Sequence, residues 1–513
     1  MQILSTFGTA HVSPRFWATR SLSLALADVL QSPRKWLFAL TLTAALGCWP
    51  RGAAHAQDPD PEREADVEAA STTGDSETTT AREPEGASTP TPAEPDTTES
   101  ADRSVFSDLS RDPYDFRNGR LPDEGWIPLF KTRTELKFGG FIQLNVIHDF
   151  QNAGFPYGWF VPGLVPAPTD KTPNTEFDPR SSRFVFETRT ATKKAGDVST
   201  LLSFDFFGDL ASSTARVFPT PRLHQAYVTW VGPKSQVAFT VGQSWTTFLD
   251  LRVWPMIVDL QGPNAMSGAR QGLLQASYAF GKDESVVLAG SLEQPDTAVQ
   301  DPASATGVGT SIRRAPDIAA RLTWSGDWGH LQGAMLLRVL SAQSATSGNR
   351  DSAFGNGGSL SGRFNIRRTL RTVGAPDNLG PRQDLIQYQV QGGCGTGRYI
   401  FDLSTTTLPQ DAVWDDASGE LLPLCQIGGF VGYHHWWTDD LHTQVVGSVE
   451  QVFNRAVQTD ETYKRGLYVL GNLGYRFFFR MDIGVEYYFG KRWQKDDVSG
   501  YAHRLMFAVN YGW

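Results

Sequence analysis

The last nine residues, Leu505 to Trp513, alternate without a break. Leu505, Phe507, Val509, Tyr511 and Trp513 are large and apolar, while Met506, Ala508, Asn510 and Gly512 are small, polar or flexible. A period of two predicts a strand with one apolar face. The same period recurs upstream. Leu136, Phe138, Ile142, Leu144 and Val146 share one face, with Lys137, Gln143 and Asn145 opposite. Further alternating segments fall at 182–192, 198–208, 222–232, 235–245, 270–280, 284–293, 316–325, 328–340, 358–366, 383–391, 425–437, 441–453, 464–476, 478–489 and 501–513. About sixteen strands are therefore expected.

The connections alternate in length. Long ones span 151–181, 209–221, 246–269, 294–315, 341–357 and 392–424. Short ones are 193–197, Gly232-Pro233-Lys234, Gly281-Lys282-Asp283, Ser325-Gly326-Asp327 and Thr438-Asp439-Asp440; the stretch 367–382 falls on the short side yet is long. Short turns at one end and long loops at the other predict an all-β fold, a transmembrane antiparallel β-barrel with both termini periplasmic. A soluble sandwich needs no such asymmetry. The expected residence is the outer membrane of a Gram-negative bacterium, with its lipid and its barrel-assembly machinery as partners. The apolar face of Phe507, Val509 and Tyr511, ending on Trp513, resembles the insertion signal of such barrels.

Composition agrees. Aromatics make up 12% of 513 residues and glycine is abundant at 49, but no apolar run outside the N-terminus is long enough for a spanning helix. The run Trp36 to Trp49 follows Arg34 and Lys35 and precedes Ala54-His55-Ala56. This predicts a signal peptide over 1–56, with translation starting near Val29 or Leu30. Cys48 lies in a poor lipoprotein site. Residues 57–104 hold 14 acids against three arginines and almost no large apolar side chains. Such a segment cannot bury a core and is expected to be a disordered periplasmic linker, the alternative being a binding segment. Its charge of −11 (three arginines against 14 acids) exceeds the whole chain's −9, so the acidity belongs to this segment. Residues 105–134 read as a periplasmic lead-in and 135–513 as the barrel. After cleavage Cys394 and Cys425 remain, and two thiols in an oxidising compartment favour one disulfide, stapling 392–424 on the extracellular side; two free cysteines are the alternative.

Several segments together resemble the DcaP-like family of trimeric outer-membrane porins: Thr134-Glu135-Leu136-Lys137-Phe138-Gly139-Gly140-Phe141; Arg183-Phe184-Val185-Phe186-Glu187-Thr188 with Ser203-Phe204-Asp205-Phe206-Phe207-Gly208; Gln225-Ala226-Tyr227 with Gly242-Gln243-Ser244-Trp245-Thr246-Thr247-Phe248-Leu249-Asp250; Gln261-Gly262-Pro263; Gly397-Arg398-Tyr399-Ile400; and His434-His435-Trp436-Trp437-Thr438. The resemblance implies a homotrimeric channel for small anionic solutes such as dicarboxylates. Family members often carry an N-terminal coiled coil, whereas 57–115 shows no heptads.

A barrel of this size admits an aqueous lumen whose selectivity is set by inward side chains and infolded loops. The connection 246–269 stands where porins place a constriction loop, and it holds Asp250, Arg252, Trp254 and Asp259 among apolar residues. Strand parity sends Arg183, Glu187, Arg189, Asp205, Arg321, Arg338, Glu450, Arg476, Asp482, Glu486 and Arg504 to the lumen. Each arginine either grips a passing carboxylate or braces a wall acid. His434 and His435 point to opposite faces, so with Trp436 and Trp437 they read as an aromatic girdle, and no metal site or cofactor is expected. No P-loop, zinc motif or nucleophile elbow occurs, so neither an enzyme nor a nucleic-acid partner is expected. The leading reading is a passive porin for small hydrophilic, anionic solutes. A general or sugar-preferring porin and a structural envelope anchor are the alternatives.

Overall fold

The computed structural model describes residues 125–513 apart from 130–131, 193, 209–218, 282–284, 367–383, 406–409, 439 and 479. The signal peptide, the acidic linker, most of the lead-in and the stretch 367–382 lie outside the described residues.

Sixteen strands close a barrel: β1 (Thr134–Asp149), β2 (Arg183–Thr192), β3 (Gly196–Asp205), β4 (Arg222–Val231), β5 (Val237–Trp245), β6 (Arg270–Phe280), β7 (Val286–Glu293), β8 (Asp317–Gly326), β9 (Gly329–Gln343), β10 (Arg350–Ile366), β11 (Asp384–Cys394), β12 (Cys425–Trp436), β13 (Leu441–Phe453), β14 (Tyr463–Phe478), β15 (Met481–Gln494) and β16 (Ser499–Gly512). Each pairs antiparallel with its neighbours in sequence. β16 returns to β1 over the register Phe141↔Gly512 to Asp149↔Arg504, so the wall has no free edge. The short strands Ile127–Pro128, Asn174–Asp178 and Thr310–Ser311 add to this sheet, and Val299–Gln300, Ala412–Asp415 and Glu420–Pro423 form a small separate one.

Alternation sets the two faces. Phe138, Ile142, Phe239, Leu274, Val431 and Val485 stand exposed on the outside. Their neighbours Gln143, Asn145, Thr240, Gln426 and Glu486 are buried inside. A closed wall with a continuous apolar exterior and a polar interior is the architecture of an outer-membrane barrel, and the protein resides there. Leu505, Phe507 and Tyr511 lie on that exterior. The Trp513 ring packs against Phe138 at 6.1 Å and Phe184 at 5.6 Å, and its backbone N–H donates to the Gly140 carbonyl at 3.1 Å. The terminal aromatic thus sits on the seam that closes the barrel.

Two expectations about connections need correction. The stretch 341–357 is not a long loop: β9 runs to Gln343 and β10 begins at Arg350. Its apolar alternation is hidden by small residues, Ala353, Gly355, Gly357 and Gly358, on both faces. The stretch 392–424 is not an exterior loop. β11 continues to Cys394, directly opposite Cys425, and residues 395–405 then turn into the lumen as a 3-10 turn, Gly397–Tyr399, and a short helix, Phe401–Thr405.

Candidate functional site: a cationic slot in a filled lumen

Three connections enter the lumen and pack together there. The connection 246–269 crosses it from wall to wall. At its start Glu293 accepts from the Thr247 N–H at 2.8 Å and the Thr246 hydroxyl at 2.7 Å. Asp250 then accepts from His330 Nε2 at 2.8 Å and Ser361 Oγ at 2.7 Å, which ties the chain to β9 and β10. Farther on, Gln143 Nε2 donates to the Val258 carbonyl at 3.0 Å, Asn472 donates to the Met256 carbonyl at 2.8 Å, and the Val258 N–H donates to Glu486. Leu249, Leu251, Val253, Trp254, Ile257, Val258 and Met266 bury together with Phe160 and Val165 of 150–182, Phe401 of 395–424, and the inward Tyr468, Tyr488 and Met506. The apolar content of 246–269 is therefore a core inside the barrel. On this connection burial pushes the Asp259 carboxyl up to about 7, against the pull of backbone N–H groups of Gln261, Gly262 and Phe160 that donate to it.

Several wall arginines hold these connections in place. Arg504 takes Asp149 through two bonds, 2.6 and 3.0 Å, and donates to the carbonyls of Phe155 at 2.6 Å, Tyr157 at 2.8 Å and Trp159 at 2.7 Å. Arg338 pairs with Asp317 and Asp411, each at 3.0 Å, and donates to the carbonyls of Gly395 and Asp296. Arg321 donates to the Leu249 carbonyl at 3.3 Å. Backbone carbonyls of irregular chain at membrane depth need such donors, because no lattice of strand bonds satisfies them.

A slot of about 370 Å³ is open on the β2–β6 side. Arg183, Arg222, Arg270 and Arg398 line it, with Asp205, His224, Trp159, Trp245 and Trp254. Asp205 is the only carboxylate among the described lining residues, and Arg222 engages both of its oxygens, Nε to Oδ1 at 2.9 Å and Nη2 to Oδ2 at 2.6 Å. Arg270 reaches Asp205 at 4.0 Å and lies over the Trp245 ring at 4.8 Å. Arg398 is placed by Gln271 at 2.5 Å and by Asp317 at 3.3 Å, an acid it shares with Arg338. The Arg222 guanidinium stands 5.3 Å from the Trp159 ring centroid and 5.5 Å from that of Phe207. Cations outnumber acids here, and the rings hold them with little freedom.

The other sequence-derived candidates lie elsewhere. Glu187 is buried on the inward face of β2, opposite Lys137 in register. Arg189 pairs with Glu135 and stacks on Trp126 at 4.3 Å near the periplasmic end. Arg252 does not line the slot; it donates to Ser325 at 2.7 Å. Arg476 pairs with Asp482 at 3.3 Å. Cys394 and Cys425 are joined by a disulfide. The His-Trp group divides: His434 and Trp436 are buried inside beside His442, while Trp437 is exposed outside, its ring 4.4 Å from that of His435. Sequence parity does not assign Arg222, Arg270 or Arg398 to the lumen, although Arg398 lies in one of the segments that carry the family resemblance. Arg270 and Arg222 open their strands, where parity is weakest, and Arg398 sits on a connection expected to lie outside.

No protein-family model and no curated protein matches the sequence. Solved structures do. The outer-membrane channel DcaP of Acinetobacter baumannii superposes with a TM-score of 0.58 at 17% identity, over 74% of this chain and 97% of that one. This chain has the DcaP fold. OmpT of Vibrio cholerae (11% identity, 75% of this chain and 99% of that one, TM-score 0.42) and Salmonella typhi OmpF in complex with daunomycin (9%, 76% and 100%, TM-score 0.44) are more distant barrels. Within the DcaP fold, 17% identity leaves the lumen residues of this chain to be judged on their own geometry.

Proposed function

We propose that the protein is a passive outer-membrane channel for small hydrophilic anions. The observation that carries this is the slot in which four arginines face one carboxylate already held by Arg222. Dicarboxylates fit it best. Two or more guanidiniums across a narrow passage can take a carboxylate each, and a guanidinium fork matches a carboxylate bidentately. Fixed cations in a narrow, partly desolvated passage attract anions more strongly than they would at an open surface. The resemblance to trimeric porins makes a homotrimer part of the proposal, and the terminal strand makes the assembly machinery another. Planar-bilayer conductance tests channel activity, and the reversal potential in a potassium chloride gradient tests the sign of its preference. A potential on the chloride side supports the reading; one on the potassium side, or no conductance, contradicts it.

A further inference from the structure

The outer wall carries a second cationic site, facing away from the lumen. On β14 and β15 the outward parity is set by Val469, Leu473, Val485 and Tyr487, all exposed and apolar. The same parity continues to Arg465, Lys491 and Trp493 at the end of these strands farther from the chain termini, with Arg465 opposite Trp493 and Leu467 opposite Lys491 in register. Both cations address one indole: the Lys491 ammonium lies 4.6 Å from the Trp493 centroid and the Arg465 guanidinium 5.8 Å from it. Tyr501 of β16, opposite Lys491, extends the aromatic surface.

Neighbouring rim cations find acceptors within the protein. Lys464 pairs with Asp497 at 2.5 Å, Lys495 donates to the Ala456 and Gln458 carbonyls, and Arg492 donates to the Glu461 carbonyl at 3.1 Å. Arg465 and Lys491 share the outward face and one indole instead. Arg465 Nε donates to the neutral Gln451 at 2.7 Å, and among the described residues no carboxylate pairs with either cation. Two cations without an acid, on a lipid-facing wall and directly above its apolar band, call for an anion supplied by the membrane.

We infer that Arg465, Lys491 and Trp493 bind the phosphorylated sugar headgroup of an outer-leaflet glycolipid. With both termini periplasmic, this end of β14 and β15 lies at the outer leaflet, which in such membranes is built of phosphorylated glucosamine lipid. The cations take the phosphate, the indole takes a sugar face, and Leu467 and Phe489 lie along the acyl chains.

The test uses the full-length protein in detergent micelles doped with diphosphorylated lipid A, its dephosphorylated form, or phosphatidylglycerol, with bound lipid counted by native mass spectrometry. Wild type should retain the diphosphorylated form over both others. Arg465→Gln with Lys491→Gln should weaken retention roughly thirtyfold, the loss expected for two interfacial cations. Heat-modifiable migration confirms that the variant is folded, and the comparison of the three lipids on wild type stands whether or not it folds. Equal retention by the folded variant, or equal retention of dephosphorylated lipid A or of phosphatidylglycerol by wild type, overturns the inference.

Discussion

Arg222 holds Asp205 by two parallel bonds, 2.9 and 2.6 Å long, in the wall of the slot. The one carboxylate among the described lining residues is thereby engaged, and Arg183, Arg270 and Arg398 line the slot beside it. Asp205→Asn removes the acid while keeping a hydrogen-bond acceptor for Arg222. Its expected effect on the folded variant is a stronger anion preference, read as a larger chloride-side reversal potential, with some loss of stability because a buried ion pair is broken. A weaker preference would mean that Asp205 positions the arginines more than it offsets them.

Arg504 is expected to be structural. It is fully buried, and removing it strands Asp149 together with the carbonyls of Phe155, Tyr157 and Trp159. Breaking a buried pair in this way costs about 3–5 kcal/mol. Arg504→Gln should lower the thermal midpoint and, by releasing 150–182 from the lumen, raise conductance while weakening selectivity. Unchanged conductance in the folded variant would show that this connection stays in place without its clamp.

The disulfide closes a 31-residue separation from which Arg398 and Phe401 enter the lumen. Its removal should cost roughly 3–4 kcal/mol on the chain-entropy view. Cys394→Ser with Cys425→Ser should melt earlier and show noisier currents as Arg398 loses its fixed position. Alkylation mass spectrometry without reductant checks the bond itself: wild type should show no labelled thiol, and two labelled thiols would refute the pairing.

Trp513 packs on Phe138 and Phe184 across the seam between β16 and β1. Its deletion should slow closure and lower the yield of heat-modifiable barrel in the outer membrane. A yield equal to wild type would leave Trp513 with neither a packing nor a recognition role.

The strands were legible because lipid on one side and polar lumen on the other enforce a period of two; an arginine at mid-bilayer on the wrong face costs about 2–4 kcal/mol. That constraint reaches Arg183, Asp205, Arg338 and Arg504 alike, all buried on the inward side. It cannot separate their tasks. Arg338 and Arg504 meet infolded chain and clamp it, whereas Arg183 lines the slot, and this depends on where three connections lie. Of these, 246–269 could be read from its apolar residues. The path of 395–405 could not, because Gly395, Gly397 and Arg398 look like any exposed loop until Phe401 is seen in the core. Where β10 is rich in glycine, from Gly355 to Gly358, the period itself disappears.

Anion selection by the slot arginines is measured most directly by the reversal potential of Arg183→Gln with Arg270→Gln. Both residues line the slot. In a tenfold potassium chloride gradient across a planar bilayer, the folded double variant should shift from the chloride side toward zero or beyond, with conductance retained. A reversal potential identical to wild type would contradict the account.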